Sequence, residues 1–160
     1  MEILEQISKM RGKNDKPLLI SDNKKVYLED INKINFDFLN IIKPGDILAL
    51  VGDFDTNSIS ILFQLIDKKA IIAPLTPDTS SAHKEYFEAV SVKFVIKNNK
   101  IEKTNIVERQ NSFIEKVRSI NSAGLIFFSS GTQGKPKGIL HNFDNLIKKY
   151  SKQRRTLQTI

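Results

Sequence analysis

Residues 47–51 read Ile47-Leu48-Ala49-Leu50-Val51, five apolar residues in a row with no polar residue in either alternate set. A strand of that kind is buried on both faces, the condition of a parallel sheet covered by helices. Beyond it, Thr56 or Asn57 can cap a helix reaching about Asp67, whose Ile59, Ile61, Leu62, Phe63, Leu65 and Ile66 are apolar nearly all round. A second apolar run, Ala70–Leu75, is stopped by Pro74 and Pro77, and Ser80 or Ser81 starts a helix to about Val90. Lys93–Ile96 makes a third strand. Strand and helix alternating at this spacing form βαβ units with right-handed crossovers. The expected fold is α/β, a mostly parallel sheet with flanking helices.

Working toward the N-terminus, the steps of three and four from Ile31 to Ile34, Phe38 and Ile42 predict one helix from Glu29 until Pro44-Gly45. Pro17–Ile20 and Val26–Leu28 read as short strands around the turn-rich Ser21-Asp22-Asn23-Lys24, and residues 1–16 as an N-terminal extension. On the C-terminal side, residues 97–111 are polar, with Asn98-Asn99 as a turn. Ser112 followed by Glu115 fits a capping box and predicts a short helix to Ile120. Gly124–Phe128 is a strand with Phe127 and Phe128 in the core, Ile139–His141 is strand-like, and a helix runs on from Asn142.

With 160 residues and 40% apolar composition, the chain is of single-domain size and buries about two-thirds of its unfolded surface. The absence of cysteine removes disulfides, thiolate metal sites and cysteine nucleophiles. His83 and His141 are the only histidines, which sets a catalytic zinc site and a histidine triad aside. No run reaches the roughly 18 apolar residues of a membrane helix, and charges break up the N-terminus where a signal peptide would be apolar. A cytoplasmic protein without membrane insertion is expected. The net charge of +7 is a property of the tail: Lys148, Lys149, Lys152, Arg154 and Arg155 carry five positive charges, leaving residues 1–147 at +2, 20 positive against 18 negative. Cations near a helix C-terminus are favourable there. No aromatic residues are interleaved for base stacking, so no nucleic acid is expected.

The chemistry sits in residues 129–138, Ser-Ser-Gly-Thr-Gln-Gly-Lys-Pro-Lys-Gly, between an apolar strand and the next strand-like run. Glycines let backbone N–H groups converge on an anion, Ser130 and Thr132 add hydroxyls, and Lys135 and Lys137 add point charges suited to phosphate. The spacing is not that of a Walker loop, because Lys135 is followed by Pro136. Taken alone, the segment also reads as a glycine-rich surface turn. His141 is either a substrate-side residue or a packed one, and His83 reads as solvated on a surface helix. Asp53 and Asp55 follow the strand at 47–51, where α/β folds place ligand groups; they read more simply as an acidic, helix-capping turn.

The segment resembles the phosphate-binding signature of the adenylate-forming ligases, which include acyl-CoA synthetases, peptide-synthetase adenylation domains and luciferases. Phe128, Ser130, Gly131, Thr132, Gly134, Pro136, Lys137, Gly138 and Ile139 fit that pattern; Ser129 and Gln133 each replace a threonine. Further landmarks follow in the family's order. Tyr27-Leu28-Glu29-Asp30-Ile31 resembles its early helix start, Lys43-Pro44-Gly45-Asp46-Ile47 its turn into a core strand, and Ala70–Pro77 its strand ending in Pro-Leu-x-Pro, with Lys69 where a glycine is usual. Asn142 stands for the family's Ser/Thr at the helix start, Asn145-Leu146 matches, and Phe143 replaces a common His. The resemblance covers about residues 17–150.

It implies an enzyme in which a carboxylate attacks ATP to give an acyl-adenylate and pyrophosphate, after which the thiol of CoA or a carrier protein takes the acyl group. Ser129, Ser130, Gly131, Thr132, Gln133, Gly134, Lys135, Lys137 and Gly138 would hold the ATP phosphates, with Mg2+ entering as the ATP complex. The family's catalytic Lys, ribose-binding Asp and adenine-pocket segment find no place in the 22 residues after Gly138. The expectation is a partial N-terminal domain over residues 17–160 whose partners are the carboxylate, ATP and the downstream part of the fold, inactive alone and open to homodimerisation through exposed apolar surface. The alternatives are a non-catalytic remnant or split-enzyme half, and a basic nucleic-acid or membrane adaptor.

Overall fold

The computed structural model describes residues 2–11, 16–21, 24–53, 55–130 and 136–153. Its centre is a six-stranded sheet built from β3 (Ile47–Val51), β4 (Ile71–Leu75), β5 (Phe94–Lys97), β6 (Lys100–Lys103), β7 (Gly124–Ser130) and β8 (Pro136–Asn142), in the order β6-β5-β3-β4-β7-β8. The four inner strands are parallel, and β6 and β8 are antiparallel edges. A separate antiparallel pair, β1 (Leu19–Ser21) and β2 (Lys24–Val26), precedes it. Both strands fall slightly off the expected Pro17–Ile20 and Val26–Leu28, because Leu28 opens a helix.

The alternation of β3 divides the core. Leu48 and Leu50 face one apolar cluster with Ile3, Ile31, Ile61 and Leu65, brought by α1 (Glu2–Arg11), α2 (Leu28–Lys33) and α3 (Thr56–Asp67). Ile47, Ala49 and Val51 face the other, with Val92, Ile114, Val117 and Ile126, beside α4 (His83–Val90) and α5 (Ser112–Ser119). All five β3 side chains are buried, as their continuous apolarity predicts. The chain crosses from β3 to β4 with α3 and returns past β3 to β5 with α4, so the two helices lie on opposite faces. Residues 2–11 belong to this core: Ile3 and Leu4 are buried, and the Ile3 N–H donates to Asp67 Oδ1 at 2.9 Å.

Several local expectations are corrected. The helix predicted over residues 29–43 is broken into α2 and a 3-10 helix at Asp37–Ile41. Asn35 Oδ1 accepts the Phe36 N–H at 3.0 Å, competing with the helical bond, and Gln64 Nε2 of α3 donates to the freed Ile34 carbonyl at 2.9 Å. The cap of α3 is Asp55, not Thr56 or Asn57: its Oδ1 accepts the Ser58 N–H and its Oδ2 the Ser58 hydroxyl. A 3-10 helix at Pro77–Ala82 precedes α4, so the α-helix starts at His83 and not near Ser80. His83 is buried, not solvated, with Nε2 3.0 Å from Thr79 Oγ1 and 3.1 Å from the Thr76 carbonyl.

The polar stretch after Ile96 contains a strand. Asn98 and Asn99 take φ of 51° and 57°, the two left-handed positions of a tight hairpin turn, and β6 folds back on β5. The cap of α5 is Asn111, whose Oδ1 accepts the N–H groups of Phe113 and Ile114 at 3.0 and 3.3 Å; Glu115 does not close a box but pairs with Arg118 at 2.8 Å. Arg118 also donates through Nε and Nη2 to the Gly45 carbonyl and pairs with Glu108 at 2.6 Å. Glu108 raises the Arg118 pKa, desolvation opposes the shift, and Glu115 adds to it. Asn142 caps α6 (Phe143–Gln153) as expected, accepting the Asn145 N–H at 2.9 Å. Phe143 and Ile147 pack on the first core cluster, Tyr150 is exposed, and Arg154 and Arg155 lie outside the described residues. None of the described helices is long and apolar enough to cross a membrane.

Candidate functional site

The candidate site is the hairpin of β7 and β8, and a proline sets its geometry. The Ile71 N–H bonds the Asp46 carbonyl on the β3 side, and backbone groups alternate sides along a strand. Ile72 and Pro74 therefore face β7, and Pro74 has no N–H to give. The β4–β7 pairing accordingly ends at Ile72 with Leu125, and Ile126–Ser130 continue paired only with β8. The Ile72 carbonyl still accepts the Ile126 N–H, and the four residues beyond it, at about 3.4 Å each, carry the hairpin about 14 Å past that last bond to the sheet. It leaves from the carboxyl end of the parallel strands, where open α/β sheets bind ligands.

The divergence opens a cavity of about 240 Å³ lined by Leu50, Pro74, Leu75, Leu125, Phe127 and their neighbours, an apolar hollow beside the hairpin's base. Phe127, expected in the core, is 44% exposed, because nothing in the described chain covers that face of the projecting hairpin. Phe128 on the opposite face stacks on Tyr86 of α4 at 4.3 Å between ring centroids and is partly buried, as expected.

The register gives the open face an apolar base and a polar tip. Leu125 opposes His141, Phe127 opposes Ile139, and Ser129 opposes Lys137. His141 is half-buried and packs edge-on to Phe127 at 5.6 Å; no described residue forms a hydrogen bond to its ring. Ser129 and Lys137 are exposed at the tip, and no described residue pairs with either side chain. Ser130 opposes Pro136. Gly131, Thr132, Gln133, Gly134 and Lys135 lie outside the described residues.

Gly138 has a structural role that the motif alone does not reveal. A Cβ there would stand 2.5 Å from Val90 Cγ1 and 3.2 Å from Ile126 Cγ2, so the absence of a side chain lets α4 rest against β8. Neither β7 nor β8 carries an acidic residue, so the described hairpin offers an anion hydroxyl and ammonium donors without a competing carboxylate. Among the described residues, no group of three or more His, Asp or Glu is placed to hold a metal ion.

A second hollow, of about 250 Å³, lies at the carboxyl ends of β3 and β5, where the chain reverses its direction across the sheet. Asp53, Asp55, Asn57, Lys97, Asn98 and Asn99 line it. Asp55 is committed to its helix cap, as the acidic-turn reading expects, while Asp53 is exposed.

No protein-family model and no curated protein matches the chain. Solved structures do. The N-terminal subdomain of NpsA from Klebsiella oxytoca superposes with a TM-score of 0.66 at 18% identity, over 92% of this chain and 43% of that one. The o-succinylbenzoate CoA synthetase MenE from Bacillus subtilis, solved with the acyl-adenylate intermediate OSB-AMP, gives 0.65 at 15% identity over 97% and 46%. VinN in complex with L-aspartate gives 0.66 at 9% identity over 98% and 52%. The chain thus spans about half the length of these proteins or less. It has the fold of the N-terminal subdomain of the adenylate-forming ligases.

Proposed function

We propose that the chain is the N-terminal portion of a cytoplasmic, AMP-forming acid–thiol ligase such as an acyl-CoA synthetase, and that residues 129–138 hold the polyphosphate of ATP. The observation that carries the reading is the position of the signature's described residues: Ser129, Ser130 and Pro136–Gly138 end the two strands of a hairpin that leaves the carboxyl end of the parallel sheet, with Lys137 exposed and its side chain unpaired by any described residue.

ATP supplies an electrophilic α-phosphorus that a substrate carboxylate attacks, forming the acyl-adenylate and releasing pyrophosphate; the thiol of CoA or a carrier protein then displaces AMP. The chain's own part is positioning and charge neutralisation. Ser129, Ser130 and Thr132 donate hydroxyls, the glycines at 131 and 134 bring backbone N–H groups close, Gln133 keeps a donor, and Lys135 and Lys137 meet phosphate oxygens. Gly138 holds the hairpin's second strand on α4. Mg2+ would enter as the ATP complex and add charge neutralisation at the phosphates. His141 is a substrate-side candidate through the face it shares with Phe127 and Ile139. Adenylation itself needs the rest of a fold twice this long, so the 160-residue chain alone binds the polyphosphate without turning over.

Hydrogen exchange across residues 124–142, with and without ATP, tests the assignment. Protection confined to residues 129–138, and lost in Lys137→Ala, is the expected pattern. An unchanged hairpin, or protection only at the β3–β5 hollow, would overturn it.

A further inference from the structure

The sheet has two unlike edges. On β6, Lys100, Glu102 and Lys103 are exposed, the kind of charge that keeps an edge strand from pairing with another chain. On β8, Lys137 is the sole Lys, Arg, Asp or Glu in seven residues, and Ile139 is 49% exposed.

The register tells which backbone groups of β8 point outward. The Gly124 N–H bonds the Ala70 carbonyl on the β4 side, and the Phe143 N–H bonds the Ala123 carbonyl on the β8 side. By alternation, Leu125 with His141, Phe127 with Ile139 and Ser129 with Lys137 exchange the hairpin's hydrogen bonds. Pro136, Gly138, Leu140 and Asn142 therefore turn away from β7. The missing N–H of Pro136 falls on the free side, where an edge strand tolerates proline. Among the described residues, no hydrogen bond reaches the outward groups of Gly138 or Leu140.

We infer that this edge pairs with β8 of a second copy of the chain, antiparallel about a twofold axis through Ile139. In that register Gly138 of each copy opposes Leu140 of the other and exchanges both hydrogen bonds with it. The Asn142 N–H meets the Pro136 carbonyl, so every outward N–H of β8 finds an acceptor. Lys137 opposes His141, and no two lysines face each other; the same self-pairing of β6 would set Lys100 against Lys103. At the axis Ile139 meets its copy with Phe127 beside it, covering two of the chain's exposed apolar side chains. The pairing joins two sheets into one continuous sheet and is independent of the ligase reading.

The chain has no cysteine, so one introduced thiol reports the register alone. Ile139 sits at a non-hydrogen-bonded position of the proposed pair, with Cα atoms about 4.5 Å apart, inside disulfide range. Mild oxidation is expected to convert Ile139→Cys to a covalent dimer, and to leave Lys137→Cys, displaced from the axis, largely uncrosslinked. In sedimentation equilibrium the native chain self-associates, and Ile139→Lys, which opposes like charges, weakens the dimer by about tenfold or more with an unchanged circular dichroism spectrum. A native chain that stays monomeric at about 200 μM, well above a micromolar dissociation constant, overturns the inference. So does dimerisation indifferent to Ile139→Lys, or crosslinking as fast from Lys137→Cys; either result would leave the edge to a strand from a different chain.

Discussion

Replacing Gly138 with alanine adds one methyl group where α4 meets β8. Its Cβ would lie 2.5 Å from Val90 Cγ1 and 3.2 Å from Ile126 Cγ2, and no real Cβ contact is as short as the first. Val90 is β-branched and ends α4, so one χ1 rotamer dominates and the methyl group cannot swing clear. The helix itself must move. Overpacking of this kind costs about 1–3 kcal/mol, and the entropy that alanine recovers over glycine returns about 0.5–1 kcal/mol. The net loss centres on about 1 kcal/mol, which lowers Tm by about 2–4 °C for a chain of this size. Val90→Ala removes the obstructing methyl groups, so Gly138→Ala combined with Val90→Ala should cost less than the sum of the two by about 1 kcal/mol. Urea and thermal unfolding of the four proteins, followed by circular dichroism, measure both quantities. A neutral or stabilising Gly138→Ala, or strict additivity with Val90→Ala, would refute the steric reasoning and leave Gly138 to be explained by its ligand alone.

Three further substitutions test the local structure. Asn121 holds φ of 50°, a left-handed conformation that a β-branched residue takes only with strain, so Asn121→Val is expected to lower stability by about 1–2 kcal/mol in urea unfolding; an unchanged stability would contradict the conformation. Asn111→Ala removes the acceptor for two N–H groups at the start of α5 and should cost about 1 kcal/mol, whereas Ser112→Ala should stay within about 0.5 kcal/mol of the native chain. The reverse ranking would restore Ser112 as the cap.

The central elements were legible because their signals are redundant. β3 and α3 lie at the residues their patterns predict: an uninterrupted apolar run specifies a strand buried on both faces, and a long apolar helix leaves little choice of ends. Elements whose stability comes from partners were not. β6 is polar, and only its pairing with β5 across the Asn98-Asn99 turn makes it a strand. The helical spacing through Ile34 and Phe38 is real, but Asn35 and the distant Gln64 decide that the helix breaks there. His83 is buried because the 3-10 turn at Pro77–Ala82 presents Thr76 and Thr79 to it, which no local pattern announces. The site divides the same way. Its residue types and order were readable in the loop, while the exposure of Phe127 and the steric duty of Gly138 follow from tertiary contacts. Pro74 was visible as a strand stop, but its effect on the β4–β7 ladder depends on which side its missing N–H faces.

Calorimetric titration of the chain with inorganic pyrophosphate, beside Lys137→Ala, bears most directly on the claim that residues 129–138 bind polyphosphate. A hydrogen bond from a charged donor contributes about 1.5–3 kcal/mol, so Lys137→Ala should weaken binding by about 10- to 150-fold. Lys100→Ala, on the far edge of the sheet, should leave it unchanged. Equal affinity of the native chain and Lys137→Ala would contradict the account.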